Sequence, residues 1–342
     1  MADMNRAVGI WQGRSYGSSF VIFGHQIKIS VISAKLMNLI RMKQPPLLKK
    51  GDRIGLAAPA RKISRKELES SVEVIEGKGY KVFFDDSLFA SENQFAGSDQ
   101  QRTDYLQSLL DDESIKAIFF ARGGYGSVRI IDRLDFKKFK KNPKWIVGYS
   151  DATVFHSHIN RNFGIQTLHA SMPINFPGNT AKAISSLFDT LSGETLKYVQ
   201  PQHVLNKMGN AKGTLTGGNL SVLYSLLGSN SFPETSEKIL FLEDLDEYLY
   251  HIDRMMQALK RAGKLDNLAG IIVGGMTEMN DNTIPFGKTA EEIIRETVEE
   301  YNYPVFFGFP AGHMADNRAL IMGGDLSIES GEKNAAFEFT LF

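Results

Sequence analysis

Apolar and polar residues follow two different patterns along this chain. Short apolar runs rich in β-branched and aromatic residues predict buried strands, and apolar residues spaced three and four apart predict amphipathic helices. From residue 53 the two kinds of segment alternate, as in a parallel sheet with helices on its faces. The predicted strands are residues 53–60, 80–85, 116–121, 145–149, 165–168, 213–216, 238–242, 268–273, 305–309 and 319–322. The predicted helices are residues 64–79, 99–110, 151–162, 220–227, 250–262 and 289–301.

The alternation is interrupted once, over residues 175–206. Pro173, Pro177, Gly178 and Pro201 lie in or beside this stretch, and such residues are typical of loops. We therefore predict an N-terminal domain over residues 42–174, an interdomain linker over 175–206 and a C-terminal domain over 207–342. A chain of 342 residues is long enough for two domains.

Residues 1–41 show neither the strand pattern nor the helix pattern. Gly24, His25 and Lys28 interrupt their apolar runs, so none approaches the roughly 20 residues of a membrane span. A signal peptide is the competing interpretation, but the apolar centre and the small-residue cleavage pattern are poor. We interpret the segment as a tail or extension of unknown role and expect the globular protein to begin near Met42.

Composition and charge exclude several classes of function. Lysine plus arginine and aspartate plus glutamate number 39 each, so no net positive field attracts nucleic acid or an anionic membrane. The absence of cysteine excludes disulfides, thiolate zinc sites and a cysteine nucleophile, and it permits the cytoplasmic location that we expect. We expect no cofactor and no metal.

The segment Gly148-Tyr149-Ser150-Asp151-Ala152 lies where the fourth predicted strand must turn into a helix. Small residues two positions before and two after a serine are typical of a nucleophile elbow, because the tight turn brings these positions together. The pattern suits Ser150 as the nucleophile of a serine hydrolase. A serine before an acidic residue at a helix start is more commonly just an N-cap, so the motif alone is weak and the nucleophile hypothesis depends on the partners described next.

A glycine-rich turn, Arg122-Gly123-Gly124-Tyr125-Gly126, follows the neighbouring strand. Glycine amides approach a substrate where a Cβ would obstruct, and acyl transfer needs such donors for the developing oxyanion. We expect the amides of Gly124 and Asp151 to form an oxyanion hole, the latter at the positive end of its helix. A phosphate-binding loop is the alternative, but the dinucleotide and Walker spacings are absent.

The second half of the chain offers a base and a group to orient it. His313 lies in a glycine-containing loop beyond the strand at 305–309, and Glu243 ends the apolar run at 239–242. A partly buried carboxylate beside an imidazole is the usual orienting pair of a serine hydrolase. A structural role for either residue stays open, as does a metal site among the nearby acidic residues, and His169 is the reserve base.

Six stretches together resemble the LD-carboxypeptidases, a serine peptidase family that also contains the microcin C immunity hydrolases. Each stretch is common alone, but the six in this order are specific to the family. They are Gly51-Asp52-Arg53-Ile54 with Ala57-Ala58-Pro59-Ala60, Arg122-Gly123-Gly124-Tyr125-Gly126-Ser127, Gly148-Tyr149-Ser150-Asp151, Gly217-Gly218-Asn219-Leu220, Leu242-Glu243-Asp244, and Gly312-His313.

The resemblance implies a triad of Ser150 as nucleophile, His313 as general base and acid, and Glu243 as the orienting carboxylate. It also implies an α/β fold, in which an N-terminal parallel-sheet domain of flavodoxin or Rossmann type joins a smaller C-terminal α/β domain with a mixed sheet. The active site is then expected between the two domains. Nothing in the family pattern matches residues 1–41.

The substrate that the resemblance implies is a small peptide, the murein tetrapeptide, cut before its terminal D-alanine in peptidoglycan recycling. We expect Arg122 to bind the terminal carboxylate, Gly218 and Asn219 to contact substrate, and the protein to be a homodimer. An immunity-type hydrolase of peptidyl or aminoacyl nucleotides is the first alternative. A non-catalytic peptide- or sugar-binding protein, with Ser150 as a helix cap, is the second.

Overall fold

The computed structural model describes residues 41–340, and those from Met42 on form one compact unit. The predictions for residues 1–40 lie outside the described part. The helices are α1 (Arg65–Gly77), α2 (Asp99–Asp111), α3 (Lys137–Lys141), α4 (Thr153–Phe163), α5 (Ala181–Ser192), α6 (Leu220–Leu226), α7 (Leu249–Arg261) and α8 (Ala290–Thr297). The strands are β1 (Arg53–Ala57), β2 (Lys81–Phe83), β3 (Ile115–Phe120), β4 (Trp145–Gly148), β5 (Thr167–His169), β6 (Lys197–Pro201), β7 (Ala211–Asn219), β8 (Ile239–Leu245), β9 (Gly270–Thr277), β10 (Val305–Phe306), β11 (Leu320–Met322), β12 (Asp325–Ser330) and β13 (Asn334–Thr340).

The first sheet has six strands in the order β2-β1-β3-β4-β5-β11. Its first five strands are parallel, and β11 closes the edge as an antiparallel partner of β5. This is the flavodoxin-like order, in which ligands bind beyond the carboxyl ends of the strands near the β1/β3 switch point. The loops after β1, β3 and β4 therefore share the functional edge.

The second sheet has seven strands in the order β10-β9-β8-β7-β12-β13-β6. Strands β7 to β10 are parallel, whereas β12, β13 and β6 are antiparallel, so the sheet is mixed. The predicted α/β architecture with two sheets is confirmed, but the first sheet is parallel only over its first five strands, because β11 pairs antiparallel with β5. The buried apolar side chains of both sheets form one continuous cluster, which fixes the sheets against each other.

The segment that we predicted as a linker contains regular structure. Helix α5 and strand β6 both lie within residues 175–206, and β6 is the edge strand of the second sheet. Strand β11 is a second departure, since it comes from the C-terminal part of the chain and pairs in the first sheet. The chain therefore crosses between the sheets more than once. None of the helices in the described range is long and apolar enough to span a bilayer.

Candidate active site

Ser150 lies on a strained turn directly after β4. Its φ of 62° is in the left-handed region, which residues other than glycine rarely adopt. A Cβ on Gly148 would lie 3.1 Å from the Cβ of Ala152, which explains why both positions are small. The residue starts a 3-10 turn, Ser150–Ala152, that leads into α4, and α4 has no side-chain cap. Ser150 therefore does not serve as the cap of this helix.

The glycine turn after β3 lies against this serine. A Cβ on Gly123 would be 3.2 Å from the Ser150 Cβ and 3.4 Å from its Oγ. Gly124 has a φ of 111°, and its amide donates no hydrogen bond to any residue from 41 to 340. A free amide beside the serine is what an oxyanion hole requires.

Asp151 and Arg102 tie the two loops together. The buried Asp151 carboxylate accepts a 2.8 Å hydrogen bond from the Ser127 amide at the end of the glycine turn. Burial raises the pKa of Asp151, and its hydrogen bonds to Ser127 and the charge of Arg102 oppose that rise. Arg102 is also buried, and it donates to the carbonyls of Pro59 after β1 and Gly126 after β3. The three loops of the functional edge are thus held in one arrangement.

Glu243 and His313 form a buried acid–imidazole pair. His313 Nδ1 lies 2.7 Å from Glu243 Oε2, and the side chains are 14% and 0% exposed. Burial opposes the charged imidazole, but the charge and hydrogen bond of Glu243 outweigh it and raise the pKa of His313. Because Nδ1 is engaged, Nε2 is the nitrogen left to exchange a proton with a nucleophile.

The loop that carries His313 is fixed by Asn317. The Oδ1 of Asn317 accepts a 2.8 Å hydrogen bond from the Gly312 amide. Gly312 has a φ of 109°, and a Cβ there would lie 2.7 Å from Glu243 Oε2. Glycine is therefore needed beside the acid–imidazole pair for both its backbone conformation and its lack of a side chain.

The serine and the acid–imidazole pair belong to different sheets and meet through Tyr149. The buried Tyr149 ring, one residue before Ser150, lies 4.8 Å from the His313 ring in an edge arrangement. Within the described residues, Ser150 Oγ makes no hydrogen bond to His313. Such bonds are often long before substrate binds, so the neighbourhood rather than the bond defines the candidate triad.

A cavity of about 300 Å³ opens beside this contact. It is lined by Tyr149 and His313, together with Asn175, Gly178, Asn179, Met314 and Ala315. The residues at 175–179 belong to the stretch predicted as a linker. The cavity therefore gives part of that stretch a place at the candidate site.

The predicted substrate contacts have partners within the protein. Arg122 Nη1 lies 3.3 Å from Glu67 Oε1, and the Ser64 hydrogen bonds and then Arg122 hold the Glu67 pKa below its usual value. A Cβ on Gly218 would lie 2.8 Å from Thr153 Cγ2, and the Asn219 amide donates to Thr153 Oγ1 at 3.0 Å. Gly218 and Asn219 therefore dock the second sheet on α4. Their substrate contacts, like that of Arg122, stay predictions.

The structure also shows the surroundings of the two alternatives left open by the sequence, the reserve base His169 and a metal site among the acidic residues near Glu243. His169 is fully buried between Tyr149 and Phe241, and burial holds its pKa well below the ordinary value. The acidic residues after Glu243 point to separate partners: Asp244 accepts from Asn219, and Glu247 pairs with His251. Among residues 41–340, no three potential metal-ligating side chains form a cluster.

Four residues of the site were not recognised from the sequence. Arg102 holds the loops after β1 and β3. Tyr149, Thr153 and Asn317 reach across the boundary between the sheets or fix the His313 loop. Tyr149 lies inside the serine motif and Asn317 lies four residues after His313, but neither position shows its partner without the fold.

A strained serine after a central parallel strand, free turn amides and a buried Glu–His pair define the class of serine-type hydrolases. Comparison with known proteins agrees. The family model for the LD-carboxypeptidase N-terminal domain matches residues 54–170, and that for the C-terminal domain matches residues 212–328. The chain belongs to the LD-carboxypeptidase family and is a serine-type hydrolase.

Alignments with individual relatives cover most of the chain. A probable murein peptide carboxypeptidase of Bacillus subtilis is 34% identical over 304 residues, covering 86% of this chain and 94% of the relative. A murein tetrapeptide carboxypeptidase of Pseudomonas aeruginosa is 27% identical over 290 residues, covering 81% and 93%.

Solved structures share the fold. The muramoyltetrapeptide carboxypeptidase of Oxalobacter formigenes has a TM-score of 0.78 and 26% identity, over 85% of this chain and 99% of that one. The microcin C7 self immunity protein MccF in its wild type apo state has a TM-score of 0.78 and 23% identity, over 86% and 98%. The MccF likeness shows the fold alone.

Proposed function

We propose that this protein is a serine carboxypeptidase that releases the terminal D-alanine of a murein tetrapeptide. The observation that carries the proposal is the buried Glu243–His313 hydrogen bond beside the strained Ser150 turn. The names of the Bacillus and Pseudomonas relatives support murein peptides as the substrate class. A cytoplasmic location and a homodimer remain predictions from the sequence.

In the proposed mechanism, His313 Nε2 takes the Ser150 hydroxyl proton as Oγ attacks the scissile carbonyl carbon. Glu243 stabilises the imidazolium that forms, and the amides of Gly124 and Asp151 donate to the oxyanion. The imidazolium then gives its proton to the leaving amine of D-alanine as the C–N bond breaks. Water, deprotonated by His313, hydrolyses the acyl-enzyme and restores the Ser150 hydroxyl.

The arrangement of the loops supports these roles. The serine follows β4, the amide donors follow β3 and begin the turn after β4, and the acid–imidazole pair comes from the second sheet. A substrate bound between them would be attacked at the functional edge of the first sheet. Docking of the two sheets is therefore part of the active site.

Labelling with a fluorophosphonate, followed by peptide mapping, tests the nucleophile. We expect one adduct, on Ser150, and none on Ser150→Ala. Ser157→Ala, in the same helix segment, is the matched control and should label normally. Absence of an Ser150 adduct in the folded protein would contradict the proposal.

The substrate is tested by weighing the products of three incubations: the tetrapeptide, a peptide extended beyond it, and an aminoacyl nucleotide. We expect D-alanine from the tetrapeptide alone. Cleavage of the aminoacyl nucleotide alone would instead favour the immunity-type hydrolase. If Ser150 labels but no peptide is cleaved, the hydrolase class stands and the murein substrate is wrong.

A further inference from the structure

Arg61 lies at the β1/β3 switch point of the first sheet. Strand β1 leads into the loop that contains Arg61, and the neighbouring strand β3 leads into Gly124. The crevice between the carboxyl ends of two such strands is where open α/β sheets bind ligands. The backbone of Arg61 is held there by its bridge to Phe95.

The stem of Arg61 packs directly on the glycine turn. A Cβ on Gly124 would contact the Cγ and Cδ of Arg61 and lie 3.3 Å from its Cβ. Gly123, one residue earlier, is the glycine that faces Ser150. Because successive Cα atoms are about 3.8 Å apart, the Arg61 stem lies one residue from the contact between the turn and the serine.

The charge of Arg61 is uncompensated in the described part of the chain. Arg61 is exposed, and its guanidinium makes neither an ion pair nor a hydrogen bond with residues 41–340. Arg122, the other arginine at this turn, is paired with Glu67 and also donates to the Lys62 carbonyl. Of these two arginines, only Arg61 has its full donor set available for a bound anion.

A carboxypeptidase of this kind needs a cation close to its nucleophile. The terminal carboxylate carbon of the substrate is three covalent bonds from the scissile carbonyl carbon, so its receptor must lie beside the oxyanion hole. The planar fork of an arginine matches a carboxylate with two parallel hydrogen bonds. Building on the proposed function, we infer that Arg61 binds the terminal carboxylate of the peptide substrate and gives the enzyme its preference for a free carboxyl end.

The test measures binding without turnover. Full-length Ser150→Ala is titrated by calorimetry with the tetrapeptide and with the same peptide ending in a carboxamide. We expect the free acid to bind at least about tenfold more tightly, because a charge-assisted hydrogen-bonded pair contributes an affinity gain of that size. Adding Arg61→Gln should abolish the preference, Arg61→Lys should restore part of it, and the control Arg65→Gln should leave it intact.

Three results would overturn the assignment. One is a preference that survives Arg61→Gln, another is a preference that Arg122→Gln removes instead, and the third is equal or no binding of the two peptides by Ser150→Ala. Circular dichroism of each variant checks that the fold is retained.

The same variants with Ser150 restored separate this inference from the proposed function. We expect Arg61→Gln to lower kcat/KM for the tetrapeptide about 10- to 100-fold while Ser150 still labels with the fluorophosphonate. If the wild type cleaves the tetrapeptide and Arg61→Gln cleaves it equally well, the carboxylate assignment alone fails. If the wild type binds through Arg61 but releases no D-alanine, the proposed reaction alone fails.

Discussion

At the scale of single residues, the site depends on what burial does to charge. His313 is largely removed from water, which disfavours its charged form, yet the fully buried Glu243 carboxylate stabilises that form. A base with a raised pKa is protonated over more of the acidic range, so it becomes active only at higher pH. In the proposed mechanism, the pair therefore sets both the orientation of the base and the lower pH limit of activity.

Glu243→Gln should move that limit. Without the carboxylate charge the pKa of His313 falls, so the acid limb of kcat/KM shifts to lower pH, while turnover drops by about 10²-fold or more. Glu247→Gln is the matched control, because Glu247 also pairs with a histidine, 2.5 Å from His251 on α7. An unchanged acid limb in Glu243→Gln would show that another group controls the profile.

Asp244, the neighbour of Glu243, should give the fold a specific pH dependence. Burial, and then the charge of Glu243, raise the pKa of Asp244 to about 7, whereas in the unfolded chain it is near 3.9. Between these values the folded state holds a proton that the unfolded state has lost. The stability that this proton provides is complete below pH of about 4 and is lost as pH rises to about 7.

Asp244→Asn should remove this contribution. The difference in unfolding free energy between wild type and variant should change by up to about 1.4 kcal/mol per pH unit over that window, in favour of the wild type at lower pH. Urea unfolding at several pH values measures it, with the exposed Asp246→Asn as control. Parallel stability curves for wild type and Asp244→Asn would mean that Asp244 ionises normally in the fold.

At the scale of elements, periodicity predicted the alternating strands and helices but missed the short α3 and, within the segment predicted as a linker, the longer α5. The signals for α5 were present: Thr180 accepts a hydrogen bond from the Ala183 amide at the helix start, and Gly193 ends the helix with a φ of 94°. Because prolines lie on either side of this segment, the sequence pattern favoured a linker over a helix. Strands β12 and β13 were missed although their buried positions alternate, because they lie beyond the last motif.

The residues of the candidate site also fall into two groups: those that the sequence can propose and those that only the fold identifies. Motif and resemblance were enough to propose Ser150, Glu243 and His313 as the triad, because each lies in a short local pattern at the end of an apolar run; the assignment stays a prediction. Arg61 and Thr153 could not be named, since their importance comes from contacts with Gly124 and Asn219, many residues away. Only packing shows which of several arginines lacks a partner.

Arg102 bonds to groups that are far apart in the sequence, and the contribution of its forked guanidinium can be tested. Arg102→Lys keeps the charge but cannot reach the Pro59 and Gly126 carbonyls and Asp99 together. We expect a loss of about 1–3 kcal/mol of unfolding free energy and slower fluorophosphonate labelling of Ser150. Arg129→Lys, on the same Asp99 but half exposed, is the control and should change neither. Normal labelling in Arg102→Lys would remove its positioning role.

At the scale of the whole molecule, one chain of contacts links the proposed nucleophile, Ser150, to the acid–imidazole pair. Thr153, at the start of the helix that follows Ser150, accepts from the Asn219 amide of the second sheet. Asn219 is in turn the register partner of Glu243 across β7 and β8. A displacement at Thr153 therefore reaches the carboxylate that holds His313.

Thr153→Val preserves the shape of this contact and removes its acceptor. The buried Asn219 amide loses its partner, which costs about 1–3 kcal/mol of stability. Because small displacements of catalytic groups lower rates steeply, we also expect D-alanine release to fall about tenfold or more. Thr190→Val is the control, since the Thr190 hydroxyl is equally buried but bonds only to Ser186 within α5. Equal stability losses with equal turnover in both variants would show that docking at Thr153 supports the fold without aligning the triad.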